Sequence, residues 1–311
     1  MPTADGTANF VMSTNGAGVV SFVDPNTLVT PTTTNTLDGA YDQGGAGAGR
    51  VIDAVDGTVA ITGEDGIMVS GTYGSGLAVG ATGGIAQGAG TRMFFNPNKA
   101  AFRAGYVSGT QWNDANIGAY STAMGQTTIA SGNNSTAMGY STNASGPGST
   151  AMGVGTTASG DYSIAMGAGT NASGPVSTAM GSFTNASGNA STAMGEFTTA
   201  SGNFSTAMGS STTASGNFST AMGYNTTALG NGSTAMGEGT TASGDASTAM
   251  GFSTTASGIR STAMGYNTTA PGPYSTAMGA STNASGSVST AMGNQTTAPS
   301  YAETAIGRYN T

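Results

Sequence analysis

The sequence has no cysteine and no histidine among its 311 residues. The first absence excludes disulfides, thiolate metal ligands and thiol nucleophiles; the second removes the imidazole, the commonest base and metal ligand near neutral pH. Charge is scarce as well, with 6 basic and 14 acidic side chains and a net charge of −8. One lysine, Lys99, and five arginines make no basic patch, so neither nucleic acid nor an anionic membrane is expected as a partner. No stretch approaches the ~18 consecutive apolar residues of a spanning helix, so no membrane insertion is expected. Leu, Ile, Val and Phe together fill only 37 positions, against 53 glycines. An ordinary globular core of this length would need many more bulky side chains. Disorder is also disfavoured, because it brings high charge and no period, and this chain has a strict period.

From Met124 onward one column returns every 14 residues: Met124, Met138, Met152, Met166, Met180, Met194, Met208, Met222, Met236, Met250, Met264, Met278, Met292 and finally Ile306. Each of the fourteen units reads Ser-Thr-Ala-Met-Gly, two variable residues, Thr, Thr or Asn, Ala-Ser-Gly, and two more variable residues. Two glycines and several β-branched residues per unit disfavour a helix. Both constant segments are short and alternating, and both end in Gly, as two brief strands between tight turns would. Thr122 and Met124 then share one face and Ser121 and Ala123 the other, while Thr128 and Ala130 lie together with Ser131 opposed. The expected fold is all-β, a parallel solenoid of fourteen coils. At ~4.8 Å per coil the rod is roughly 65 Å long. The methionine column, carrying the only large apolar side chain of each coil, is expected to be its core. One methionine and two alanines per coil are a thin core against the backbone entropy of fourteen residues, so several chains are expected to pack side by side.

The unit Ser-Thr-Ala-Met-Gly-x-x-Thr-x-Ala-Ser-Gly resembles the head repeat of YadA-like trimeric autotransporter adhesins, over about residues 119–309. That resemblance implies a left-handed parallel β-roll, three chains around one axis, with the methionines in the family's aliphatic core position. No heptad stalk, membrane barrel or signal peptide of a complete adhesin of that kind is evident, and Met1 to Asp5 lack the basic and apolar regions of a leader. Pro2-Thr3-Ala4-Asp5-Gly6-Thr7-Ala8-Asn9 and Ser13-Thr14-Asn15-Gly16-Ala17-Gly18 resemble segments of marine bacteriophage tail fibres. The stretches Leu37 to Arg50 and Lys99 to Gly105 are similar to segments preceding such heads. Thr304-Ala305-Ile306-Gly307-Arg308-Tyr309-Asn310 resembles a neck leading into a self-cleaving chaperone, which implies cleavage or truncation after Thr311.

Ahead of the coils, residues 1–36 read as an attachment arm with apolar pairs at Val19-Val20 and Phe22-Val23, and 37–92 as a small β-rich domain. Residues 93–118 gather Phe94, Phe95, Phe102 and the single tryptophan, Trp112, and read as a cap on the open end of the solenoid, the rival being an aromatic ligand site. The head spans 119–307 and the start of a neck 308–311.

Chemistry has little to stand on. Gly44 to Gly49 lacks the Lys-Ser/Thr and the βαβ setting of a phosphate loop. Asp161, Glu196, Glu238 and Asp245 fall in variable slots without a period, so they read as surface charge and not as a catalytic pair. No catalytic residue, metal site or cofactor is expected. Asn-x-Ser/Thr at Asn143, Asn171, Asn185, Asn203, Asn217, Asn225, Asn267 and Asn283 reads as a by-product of the repeat or as glycosylation sites. The Ser and Thr columns read as structural ladders or as an array that orders water. The variable slots carry Tyr140, Phe183, Phe197, Tyr224, Phe252 and Tyr266 in one turn and Tyr162, Phe204, Phe218 and Tyr274 in the other. These aromatics either recognise a glycan or protein or pack between chains.

The reading is therefore a non-enzymatic homotrimeric fibre or spike for attachment to a host cell-surface glycan or protein, most simply a bacteriophage tail-fibre component located in the virion and joined to other virion proteins. The alternatives are the passenger of a bacterial surface adhesin, outside the cell, and a structural extracellular filament, with an ice-binding solenoid as a weaker idea.

Overall fold

The computed structural model describes residues 72–74 and 87–310 with their side chains, and the backbone of 11–14 and 20–23. The chain divides into two units, Met1–Glu64 and Asp65–Thr311. In the first, β1 (Val11–Thr14) pairs antiparallel with β2 (Val20–Val23), Val11 opposite Val23 and Thr14 opposite Val20. This hairpin lies in the segment read as an attachment arm. The small β domain expected over 37–92 falls outside the described residues, apart from 72–74 and 87–92.

The second unit is a parallel β-solenoid. Each coil contributes a long strand, such as Thr206–Ser210, and a short one, such as Thr213–Ala214. The long strands stack into a sheet of 16 strands that also takes in two strands of the preceding hairpin, and the short strands stack into a sheet of 13. Thirteen coils are thus complete, and a fourteenth long strand, Thr304–Arg308, closes the rod. Register is locked to the repeat, with Thr192 on Thr206, Ala193 on Ala207, Met194 on Met208 and Gly195 on Gly209. Ladder bonds run from each coil to the next, for example Thr206 N to Ser219 O at 2.9 Å and Thr199 N to Thr212 O at 2.8 Å.

The alternation is as expected, but the core is the opposite face. Ala123 and Ala130 and their repeats are fully buried as far as Ala298, together with the Ser121 and Thr128 columns. The column from Met124 to Ile306 lies outside this core, on the outer face of the long-strand sheet, half-buried at most positions and 38%, 36% and 61% exposed at Met124, Met152 and Ile306. The reason is geometric. Strands joined by such short turns bring the two sheets so close that only methyl and hydroxyl groups fit between them. Residue size, which suggested Met inside, is what keeps it out.

Both glycine columns follow from coil spacing. A Cβ on Gly209, at φ +120°, would stand 2.0 Å from the carbonyl oxygen of Gly223, and one on Gly202 would stand 2.0 Å from that of Gly216.

At the N-terminal end, β3 (Gly90–Asn96) and β4 (Ala101–Val107) form an antiparallel hairpin, and β4 pairs in parallel with the first long strand. Phe102 matches Thr122, Arg103 matches Ala123, Ala104 matches Met124 and Gly105 matches Gly125. Gly105 obeys the same constraint as later glycines, its Cβ position lying 2.0 Å from Gly125 O. The strand is a rung of the ladder written in a different sequence.

Candidate functional site

The four aromatics read as a cap divide between two faces. Phe94 and Trp112 meet edge to face, with ring centroids 6.1 Å apart, and Trp112 is fully buried with its indole N–H donating to Thr128 O at 2.9 Å. Phe95 and Phe102 are paired across the hairpin on the other side and, half-buried, continue the outer Thr–Met face. The space at the end of the core is taken by Arg103, which composition alone did not single out. Its side chain is fully buried and its guanidinium donates to Phe102 O, Ser121 O, Ser121 Oγ and Ala130 O at 2.8 to 2.9 Å. Burial pushes its pKa down to about 10, leaving it a cation at neutral pH, held by carbonyl and hydroxyl oxygens alone. Lys99 closes the neighbouring turn by donating to Ile117 O at 2.9 Å and pairing with Asp114 at 3.2 Å. The signal in the sequence was the pair Ala104-Gly105, which repeats the Met-Gly end of a long strand one residue after an Arg in the alanine position.

The outer surface of the rod has three parts. The broad face of the long-strand sheet carries the Thr122 and Met124 columns, an apolar stripe running the length of the coils. The face of the short-strand sheet carries Thr or Asn from Asn143 onward, the asparagines of neighbouring coils meeting where Asn171 Nδ2 donates to Asn185 Oδ1 at 3.2 Å. Asn143, Asn171, Asn185 and Asn283 interrupt the threonines there, so the array is not a uniform one.

The third part is the two turn edges. In both turns the second variable residue is left-handed, φ +51° at Phe183, +56° at Phe204 and +58° at Val176. The 131–135 type of turn closes by Ser205 N to Gly202 O at 3.3 Å, and proline at its first variable position (Pro147, Pro175, Pro273) suits a type II geometry. A left-handed residue other than glycine costs on the order of 1–2 kcal/mol, which the inter-coil bond from its N–H, such as Phe204 N to Asn189 O at 2.8 Å, helps to offset.

All ten aromatics of the variable slots are exposed, from 42% at Phe252 to 69% at Tyr162. They fall in three columns. Tyr140, Tyr224, Phe252 and Tyr266 end long strands, Phe183 and Phe197 occupy the left-handed position next to them, and Tyr162, Phe204, Phe218 and Tyr274 hold the left-handed position of the opposite turn. Neighbours stack in parallel, Phe183 on Phe197 at 5.3 Å, Phe204 on Phe218 at 5.1 Å and Phe252 on Tyr266 at 5.3 Å. Beside Phe204 and Phe218 runs a polar ladder: Asn189 N donates to Asn203 Oδ1 and Asn203 N to Asn217 Oδ1, each at 3.0 Å, Asn217 N to Asn231 Oδ1 at 3.2 Å, and Asn231 N to Asp245 Oδ1 at 2.8 Å. Asp161, Glu196, Glu238 and Asp245 are all exposed in variable slots, Glu238 and Asp245 at the two opposite turns of one coil.

Register-locked coils with an alanine interior define the class of the molecule, the parallel β-solenoid head of an adhesin-like fibre. The YadA head domain repeat matches residues 117–142, 144–170, 172–198, 200–226, 228–254 and 256–282, over half of the sequence, and the chain belongs to that family. The coils from 283 to 308 keep the same strands and register beyond the matched residues. No curated protein matches the chain.

Proposed function

We propose that the protein is a non-enzymatic, homotrimeric attachment fibre, and more narrowly a bacteriophage tail-fibre component. The observation that carries the trimer is the outer Thr–Met face. A continuous stripe of half-buried methionines is a surface that soluble chains seldom leave open, and packing three such stripes around an axis gives each coil the large apolar core that its own alanines do not provide. Attachment draws support from the family, from the rod shape and from exposed aromatics repeated along both edges. A non-enzymatic role agrees with a sequence that has neither histidine nor cysteine. The virion placement rests on the likeness of residues 2–18 to tail-fibre segments; its rival, the passenger of a bacterial surface adhesin, is favoured by the head family itself.

Immunogold labelling with antibody to the solenoid separates the two. Label at the tails of phage particles from the source culture is the expected result. Label confined to the cell envelope, with particles bare, contradicts the virion reading and favours the adhesin.

A further inference from the structure

We propose that the ring of Phe218 is the floor of a saccharide-binding step on the turn edge, taking a neutral pyranose of the attachment surface; the inference rests on the attachment reading above. Rings in this column lean towards the preceding coil. A Cβ on Gly148 would come within 2.7 Å of the Tyr162 ring, and Phe218 lies parallel to Phe204 with 4° between the planes. One face of Phe218 is therefore covered by Phe204. The other looks to the next coil, where the same position is Gly232 and an added Cβ would meet nothing within 4 Å. The result is an open notch one coil deep, with Phe218 66% exposed.

The rim of the notch is polar and held in place. Asn231 bridges two coils, its Oδ1 accepting from Asn217 N at 3.2 Å and its Nδ2 donating to Asp245 Oδ1 at 3.3 Å. A pyranose has a face of C–H groups with weakly positive hydrogens and a rim of hydroxyls. The electron-rich face of Phe218 suits the first, and the fixed amide and carboxylate of Asn231 and Asp245 suit the second. Tyr162, on the same edge, lacks these features: its ring rests on Gly148 and the next coil places Val176 beside it. A single shallow step binds weakly, with a Kd on the order of 1 mM, and three copies in a trimer combine through multivalency.

The test is ligand-observed NMR of the 311-residue chain with cellobiose, chitobiose, lactose and mannobiose. At least one disaccharide is expected to bind, with saturation strongest on its axial C–H protons. Phe218→Ser should weaken binding about tenfold. Gly232→Phe should do the same by filling the notch, and the fold should tolerate it because Phe204 and Phe218 already occupy this column at φ +56° and +58°. Tyr162→Ser should leave binding unchanged. No binding of any of the four by the wild type, or equal binding by wild type and both notch variants, overturns the proposal. So does a loss of native mass in Phe218→Ser, which assigns the ring to contacts between chains. Adhesion of the intact fibre to bacterial cells is measured separately: a fibre that adheres without binding saccharide overturns the step alone, and one that does neither overturns the attachment reading too.

Discussion

Arg103 stands opposite Ala123 in the parallel ladder, so a buried guanidinium fills the position that alanine holds in the coils that follow. An open solenoid end leaves the first coil without a neighbour to stack on, and Arg103 closes it by donating to Ser121 O, Ser121 Oγ and Ala130 O of that coil and to Phe102 O of its own strand. The cap is thus a polar plug backed by Trp112 and Phe94, not a purely aromatic lid.

Replacing Arg103 by Ala should lower stability by about 2–4 kcal/mol, because it removes the four hydrogen bonds of the buried guanidinium and leaves a cavity at the end of the core. The pH dependence has a definite sign. The folded pKa, about 10, lies below the ordinary guanidinium value, so the burial cost is fully present below about pH 10 and is relieved as pH rises above it. Denaturation of wild type and variant side by side should therefore show a stability gap that holds constant below pH 10 and widens above it.

Gly209→Ala should destabilise the rod by on the order of 2–5 kcal/mol, since the new methyl meets Gly223 O at 2.0 Å and the residue must hold φ +120°. Gly155→Ala, at φ +61° but with nothing within 4 Å of the added methyl, should cost only on the order of 1 kcal/mol. The comparison of the two melting temperatures checks whether coil stacking, and not turn flexibility, fixes the glycines.

The hydroxyls of the Thr128 column, including Thr198 and Thr212, are buried without a hydrogen-bond partner among the described residues. Valine has the same shape without the hydroxyl. Thr198→Val should be neutral or stabilising by up to about 1 kcal/mol, read as a rise in melting temperature. A drop of that size or more would mean that the hydroxyl has a partner, such as a bound water.

The fold was largely legible because every 14 residues repeat the same constraint, and a pattern written fourteen times averages out its local exceptions. Strand positions, alternation and turns followed from Ser121 to Gly125 and from Thr128 to Gly132. What failed was the choice of face. Alternation places Thr122 with Met124 and Ser121 with Ala123, but it does not say which pair is inside; that depends on the distance between the sheets, which short-range pattern does not encode. The capping role of Arg103 was hidden for a related reason, since an isolated arginine reads as a surface charge until β4 is recognised as a rung. The aromatics do lie in exposed variable turns, as their slots imply, and they divide into three columns because Phe183 and Tyr140 belong to adjacent positions of one turn.

In the proposed trimer the outer methionine face is the surface between chains. Sedimentation equilibrium of the 311-residue chain at micromolar concentration should give three times the 30.0 kDa chain mass, and Met208→Asp with Met222→Asp, which sets charges into that face, should reduce the mass or abolish cooperative melting. A wild-type chain that sediments as a folded monomer, or a double variant that keeps the wild-type mass and melting temperature, would contradict that role.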